Sequence, residues 1–288
     1  MTDPRLSQPL DPDGDVSVVI VAYRTPDVLI RCLESFEEHQ PQRVGAVIVI
    51  DNSADGSGRT VAERFGWIDY VEEPDNLHFR GGCNAGARRA RLRYVLFLNP
   101  DAYLTDPTAI AQLADVLDAR TDVGFVGPKL EGDDGGLAPQ GEPAAGLRHL
   151  IVDRTGVARA WPRLARRTRP ANAVRHEPGP VETVTAAALM CRRDEFLAVG
   201  GFDERVRMYW EEHELSRKYA SRGQRGWYEP RAFMFHSWRK GGSELDPAVT
   251  AYFEEAASHY YSTFFGARGT ITYRALAAAR RLAKSVVR

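Results

Sequence analysis

From Val16 to Tyr23 the chain reads VSVVIVAY, β-branched and apolar almost throughout. Such a run predicts a strand covered on both faces. Thr25 and Pro26 then supply a helix cap and first turn, and Val28, Leu29, Cys32, Leu33 and Phe36 recur at helical spacing. A second buried strand, Ala46 to Ile50, runs into Asp51-Asn52-Ser53. A helix over Ser57 to Phe65 and a short strand over Ile68 to Val71 follow. The stretch from Asn76 to Gly86 reads as a glycine-rich loop that leads into a basic helix ending near Arg93. Tyr94 to Leu98 is again apolar and stops at Asn99-Pro100-Asp101. A helix from Pro107 to Ala119 and a strand from Val123 to Pro128 complete a βαβαβ alternation. That alternation predicts an α/β protein with a mostly parallel sheet between helices and a site at the carboxyl ends of the strands.

The pattern changes after Lys129. Residues 132–180 are rich in Gly, Pro, Ala and Arg and read as a long irregular excursion with short helices, a length usually tied to function. Order is expected to resume with a strand near Val181, a helix over Arg193 to Val199 and a Gly200-Gly201 turn. A helix from Met208 to Arg222, stopped by Gly223, precedes a last strand over Gly226 to Phe235. Two helices close the chain, the second amphipathic and cationic, TYRALAAARRLAKSVVR. The expected division is a leader over 1–15, a nucleotide-type half over 16–130, a second half over 131–243 and the closing helices over 244–288.

Composition narrows the function classes only a little. With 43% hydrophobic and 27% charged residues and a net charge of −1, the global balance favours neither nucleic acid nor membrane. Cys32, Cys83 and Cys191 form no C-x-x-C pair, which suits a reducing cytosol. The first residues lack the basic and apolar regions of a signal peptide, and no apolar run is long enough to span a bilayer. A cytoplasmic protein is expected. The closing basic helix either packs on the core or lies at the inner face of the membrane.

Acids mark the predicted strand ends: Asp51, Asp101, and the cluster Glu211, Glu212, Glu214, with His236 just past the last strand. Carboxylates, one imidazole and a glycine-rich segment at one sheet edge suit Mg²⁺ or Mn²⁺ holding a diphosphate. A separate carboxylate is then required to take a proton from an attacking hydroxyl. Each residue also has a plainer use. Asp51 and Asp101 suit turns or helix caps. Glu214 and Lys218 suit an i, i+4 pair on a solvated helix, and the glycines suit a tight strand-to-helix connection.

The order VVIVAY, DNSADGS, NLHFRGGCNAG, LFLNPDAYL, GGFDE…MYWEEHEL and FHSWRKGGS resembles the inverting glycosyltransferases of family 2, in their rhamnosyltransferase-like subgroup. The likeness runs from Val16 to Ser243. It implies the GT-A fold, a dTDP- or UDP-linked sugar donor such as a rhamnose donor, and a hydroxyl acceptor on a glycan, a lipid-linked sugar or a small molecule. It implies that Asp51 hydrogen-bonds the base, with Ala22 and Tyr23 beside base or ribose. Asn99 to Asp101 stands in the D-x-D place, so Asp101 is the metal ligand and Asn99 replaces the first acid. His236 contacts metal or phosphate. Glu212 falls on the catalytic base, with Glu214 in reserve, and Trp210 and Glu211 line the acceptor side.

Departures from the family pattern raise further expectations. His213 between the acids reads as a surface residue. In the glycine-rich stretch Arg80 reaches the diphosphate, contacts the sugar or faces solvent, beside Gly81, while Asn84 orients the loop. The basic run 163–169 is a solvated loop or an acceptor clamp. The competing readings are a sugar-nucleotide nucleotidyltransferase, against which the missing Gly/Lys signature after the first strand counts, and a protein that binds sugar nucleotides without turnover.

Overall fold

The computed structural model describes residues 10–138, 141–155, 163, 176–237 and 247–286, with backbone only for 153, 247, 248 and 280–286. The first four strands pair in parallel within one sheet. They are β1 (Val16–Ala22), β2 (Val44–Asp51), β3 (Asp69–Glu72) and β4 (Tyr94–Leu98), in the order β3-β2-β1-β4. Helices α1 (Pro26–His39), α2 (Arg59–Arg64) and α3 (His78–Arg89) make the crossovers. The carboxyl ends of β1, β2 and β4 therefore share an edge, and register places Ala22 beside Asp51 and Ile20 beside Leu98.

The sheet then turns mixed. β8 (Ala188–Arg192) inserts antiparallel between β4 and β6 (Val123–Glu131). β9 (Arg225–His236) lies parallel to β6. On β9 pair two short strands, β5 (Ala102–Leu104) and β7 (Gly179–Val181), both antiparallel. β5 was not expected, because the three residues after Asn-Pro-Asp are too few to show a period. Its pairing of Ala102 with His236 carries the histidine back to the end of β4.

Helices cover both faces. Leu29, Leu33 and Phe36 of α1 and Ile110, Leu113 and Leu117 of α4 (Ala109–Ala119) pack on Val18, Ile20 and Leu96. On the other face lie Cys83 and Ala87 of α3, Phe196 of α6 (Arg193–Ala198), and Leu215 and Tyr219 of α7 (Glu211–Ala220). The glycine-rich stretch is helical, not a loop. A Cβ on Gly82 would crowd Val21, and one on Gly86 would collide with Val19, so both glycines let α3 settle against β1. Tertiary packing overrides their low helix propensity.

A third cluster stands apart. Helix α5 (Leu147–Arg154), within the irregular stretch, packs on the closing segment α8 (Pro247–Val286). At Gly266 (φ 56°, ψ −141°) α8 breaks, and its two arms pack together, with Tyr273 stacked on Tyr261. Tyr260, Tyr261 and Tyr273 are buried there, and Trp210 leans on the first two. Of the basic run 163–169 only Arg163 lies among the described residues; the leader up to residue 9 and 238–243 fall outside them, as do the side chains of 280–288.

Candidate active site

Helix α7 begins at Glu211, three residues later than its apolar pattern predicts. Tyr209 (φ 74°) and Trp210 (φ 68°) are both left-handed, a conformation that costs non-glycine residues roughly 1 kcal/mol or more each. Contacts hold them there. Tyr209 packs on Phe253, and Trp210 packs on Phe253, Tyr260, Tyr261 and the ring of His213. After the double bend, Glu211 and Glu212 of the first helical turn face a cleft of about 430 Å³.

Glu211, Glu212, Trp210, Asn99 and His236 all line this cleft, although they come from β4, β9 and the start of α7. Glu212 is half-buried, and its carboxyl is pushed above the ordinary range by burial, with Glu142 across the cleft adding to the rise and Arg80 opposing it. Glu211 is buried, and burial carries it up to about 7 against the pull of Arg80. Sequence reasoning missed Glu142 and His149, which also line the cleft, because they belong to the irregular stretch. His213 lines it too, so it is not the expected surface residue.

At the end of β4, His236 Nε2 lies 3.1 Å from Asp101 Oδ1 and 3.4 Å from Asn99 Nδ2. The Ser237 N–H donates to the Asp101 carbonyl at 2.8 Å and locks the two strand ends together. One carboxylate, one imidazole and one amide oxygen fit a hard divalent cation that keeps several other ligands. Among the described residues no three His, Cys, Asp or Glu side chains cluster as a metal site, so any cation here must complete its shell from elsewhere.

At the neighbouring strand ends, Ala22 and Asp51 are buried and Tyr23 is exposed, with the Arg24 guanidinium 5.2 Å from its ring centre. Asp51 accepts the Tyr70 hydroxyl at 2.6 Å and the Ser53 N–H at 2.8 Å. Burial and this bond raise the Tyr70 phenol.

Three expected roles are corrected by burial and partners. Arg80 is 1% exposed and does not face a diphosphate. Its guanidinium donates to Glu214, to the Tyr209 carbonyl at 2.5 Å and to the Asp203 carbonyl at 3.3 Å, and its Nε stands 3.4 Å from Glu211. Glu214 cannot serve as reserve base. It is buried, and besides Arg80 it accepts the Lys218 ammonium at 2.6 Å and the Asp203 N–H at 3.0 Å. Asn84 joins α3 to the Gly-Gly turn instead of orienting a loop, through Phe202 N–H (2.9 Å) and Phe202 carbonyl (2.7 Å). Gly81 is buried beside Arg80 in α3.

The strand ends gather carboxylates and a histidine beside a cleft, and comparison with known proteins assigns the chain to the glycosyltransferases of the GT-A fold. The family model for glycosyl transferase family 2 matches residues 17–175. The chain belongs to that family. It is 25% identical over 262 residues to the N-acetylglucosaminyl-diphospho-decaprenol L-rhamnosyltransferase of Mycobacterium tuberculosis, covering 86% of this chain and 82% of that protein. It is 26% identical over 246 residues to the O-antigen biosynthesis protein RfbC of Myxococcus xanthus, 77% of this chain but only 17% of that one. GalNAc-T7 with UDP, GalNAc and Mn²⁺ shares the fold at a TM-score of 0.61 and 15% identity, over 91% of this chain and 54% of its own. The mannosyltransferase PcManGT of Pyrobaculum calidifontis, in complex with GDP-Man and Mn²⁺, does so at 0.55 and 19%, over 97% and 80%.

Proposed function

We propose that the protein is an inverting, metal-dependent transferase that moves rhamnose or a related deoxyhexose from a dTDP- or UDP-linked donor to a hydroxyl of a lipid-linked glycan. The observation that carries this reading is that Glu212, on α7, and the Asn99 and His236 pair, at the ends of β4 and β9, open onto one cleft. A base and a diphosphate site on facing walls are what a single displacement needs. The relative that acts on N-acetylglucosaminyl-diphospho-decaprenol suggests the acceptor class.

In this reading Asp51, Ala22 and Tyr23 take the nucleoside, and Asn99, Asp101 and His236 take the diphosphate end. Glu212 accepts the proton of the acceptor hydroxyl as its oxygen bonds to the anomeric carbon and the bond from that carbon to the diphosphate oxygen breaks on the opposite face. A carboxyl raised toward neutrality is a better base than an ordinary one, provided it is ionised at working pH. Asp101 and His236 would hold a divalent cation, which would supply charge neutralisation for the leaving diphosphate. Trp210 and Glu211 shape the acceptor wall.

No helix among the described residues is long and apolar enough to cross a membrane. The outer arm of α8 exposes Arg268, Ile271 (68%) and Arg274, a combination suited to peripheral contact with an anionic membrane surface.

The test is turnover of dTDP-rhamnose and UDP-sugars with Mn²⁺ and a short-chain polyprenyl diphospho-N-acetylglucosamine, with the product anomer read by NMR. Inverted product, lost in Glu212→Gln, is expected. Retained configuration, or full activity in Glu212→Gln, would overturn the mechanism.

A further inference from the structure

The orientation of His213 in the cleft is fixed by a bond to one of its ring nitrogens. Its Nδ1 accepts the Ala145 N–H at 3.3 Å. A neutral imidazole that accepts on Nδ1 carries its proton on Nε2. That second nitrogen stands 3.9 Å from Glu212 Oε1.

The ring is held from several sides. Trp210 lies 5.0 Å from its centre and Tyr260 lies 6.0 Å away. Ala145 is fixed in turn, because its carbonyl accepts the Tyr260 hydroxyl at 2.7 Å and Arg217 at 3.1 Å. Neighbouring amides are pinned alike, Ala144 N–H by Glu182 and Gly146 N–H by His149. Charged and titratable groups on the elements packed about the ring include Glu212 and Arg217 on its own helix, Glu142, His149 and Glu182 on the opposing segments, and Tyr260 on α8.

We infer that His213 is a positioning residue for the base, presenting its Nε2–H to one oxygen of Glu212 so that the other is left for the acceptor hydroxyl. This rests on the reading of Glu212 as base. The gap of 3.9 Å is longer than a hydrogen bond, and a small rotation of the Glu212 side chain would close it, as catalytic hydrogen bonds that are long in an empty site tighten with substrate. A bland alternative assigns His213 only to holding Ala145. The two roles use different nitrogens, which makes them separable.

Glutamine places an amide N–H near the Nε2 position, and asparagine places a polar atom near Nδ1. If His213 positions the base, His213→Gln keeps the wild-type pH profile and most of kcat. His213→Asn then keeps the melting temperature but loses about tenfold in kcat at unchanged acceptor KM, with the acid limb moved upward. The reverse ranking would overturn the inference. The reaction followed is transfer from dTDP-rhamnose to the hydroxyl of a short-chain polyprenyl diphospho-N-acetylglucosamine with Mn²⁺, read as dTDP released, and Glu212→Gln is run beside it. Full activity in that control removes the base assignment itself, whereas an inactive control with a wild-type His213→Asn removes only the inference.

A measurement without turnover gives a second arm. Long-range ¹H–¹⁵N correlation of the folded protein is expected to show the Nε2–H tautomer for His213, and its titration midpoint is expected to fall in Glu212→Gln. An Nδ1–H tautomer, or a midpoint indifferent to Glu212, refutes the proposal.

Discussion

Arg80 and Glu214 lie 134 positions apart in the chain and meet in an ion pair with both side chains almost wholly buried. The pair fastens α3, behind the parallel sheet, to the first turn of α7, where the candidate base is carried. Lys218 offsets one of the two acids on Arg80, so the group is close to neutral.

Removing one member of a buried pair strands the other, at a cost of about 3–5 kcal/mol. Arg80→Ala is therefore expected to unfold at much lower urea than wild type. Arg80→Lys should rescue little, because a point charge cannot reach Glu214 and the carbonyls of Tyr209 and Asp203 together. Urea midpoints at constant m-value check both.

Glu211 should make stability fall as pH rises. Its carboxyl sits at about 7 in the fold against an ordinary 4.5, mainly through burial. The folded state thus binds the extra proton between these values. The contribution is complete below about pH 4.5 and lost above about pH 7. Glu211→Gln keeps the shape without the charge, so its melting temperature should decline less across this window. A gain on the order of 1–3 kcal/mol at pH 8 is expected. Parallel melts at pH 5 and pH 8 measure it.

The rate should have an acid limb above the ordinary carboxylate range, since burial and then Glu142 raise Glu212. Activity requires the ionised base and so rises as pH passes upward through its value. Glu142→Gln should move that limb downward, toward the ordinary carboxylate range. The pH profile of kcat/KM for the two proteins decides it.

Donor binding should depend on the strand-end pair. A nucleoside diphosphate with Mn²⁺ at a hundred times its dissociation constant stabilises a protein by about 2.7 kcal/mol. That shift should vanish with chelator, and in Asp101→Asn or His236→Ala. Thermal shift with dTDP, UDP and GDP, each with and without Mn²⁺, tests this and shows which base is preferred.

Gly86→Ala sets two effects against each other. Helix propensity alone promises a gain of about 1 kcal/mol. The added Cβ, however, collides with the stiff, β-branched Val19 on the strand beneath, and overpacking of this kind costs about 1–3 kcal/mol. Net destabilisation is expected by chemical unfolding.

Much of the strand-end edge was legible because continuous apolar runs show where buried strands stop, and the polar residues at those stops are the candidates. Asp51, Asp101 and Asn99 were singled out that way, and they do stand at the ends of β2 and β4. His236 was found by its place after the last strand, though β5, which carries it to Asp101, was too short to read. What failed was anything decided at long range. Nothing near Arg80 in sequence announces a partner at Glu214, and a glycine-rich helix reads locally as a loop. Glu142 and His149 were hidden in a stretch without periodicity. The late start of α7 follows from aromatic contacts made to α8, which no window around Tyr209 and Trp210 contains.

The aromatic packing beneath Trp210 also bears on how such an enzyme could change its acceptor. The residues proposed for the nucleoside and the diphosphate sit at the ends of β1, β2, β4 and β9, whereas the wall around Trp210 is braced by α5 and the folded-back α8. Grafting those two helices together from a relative would exchange that wall as one part, provided the seam made by Trp210, by Tyr209 on Phe253, by Arg217 on Tyr260 and by Asp203 on His259 is kept.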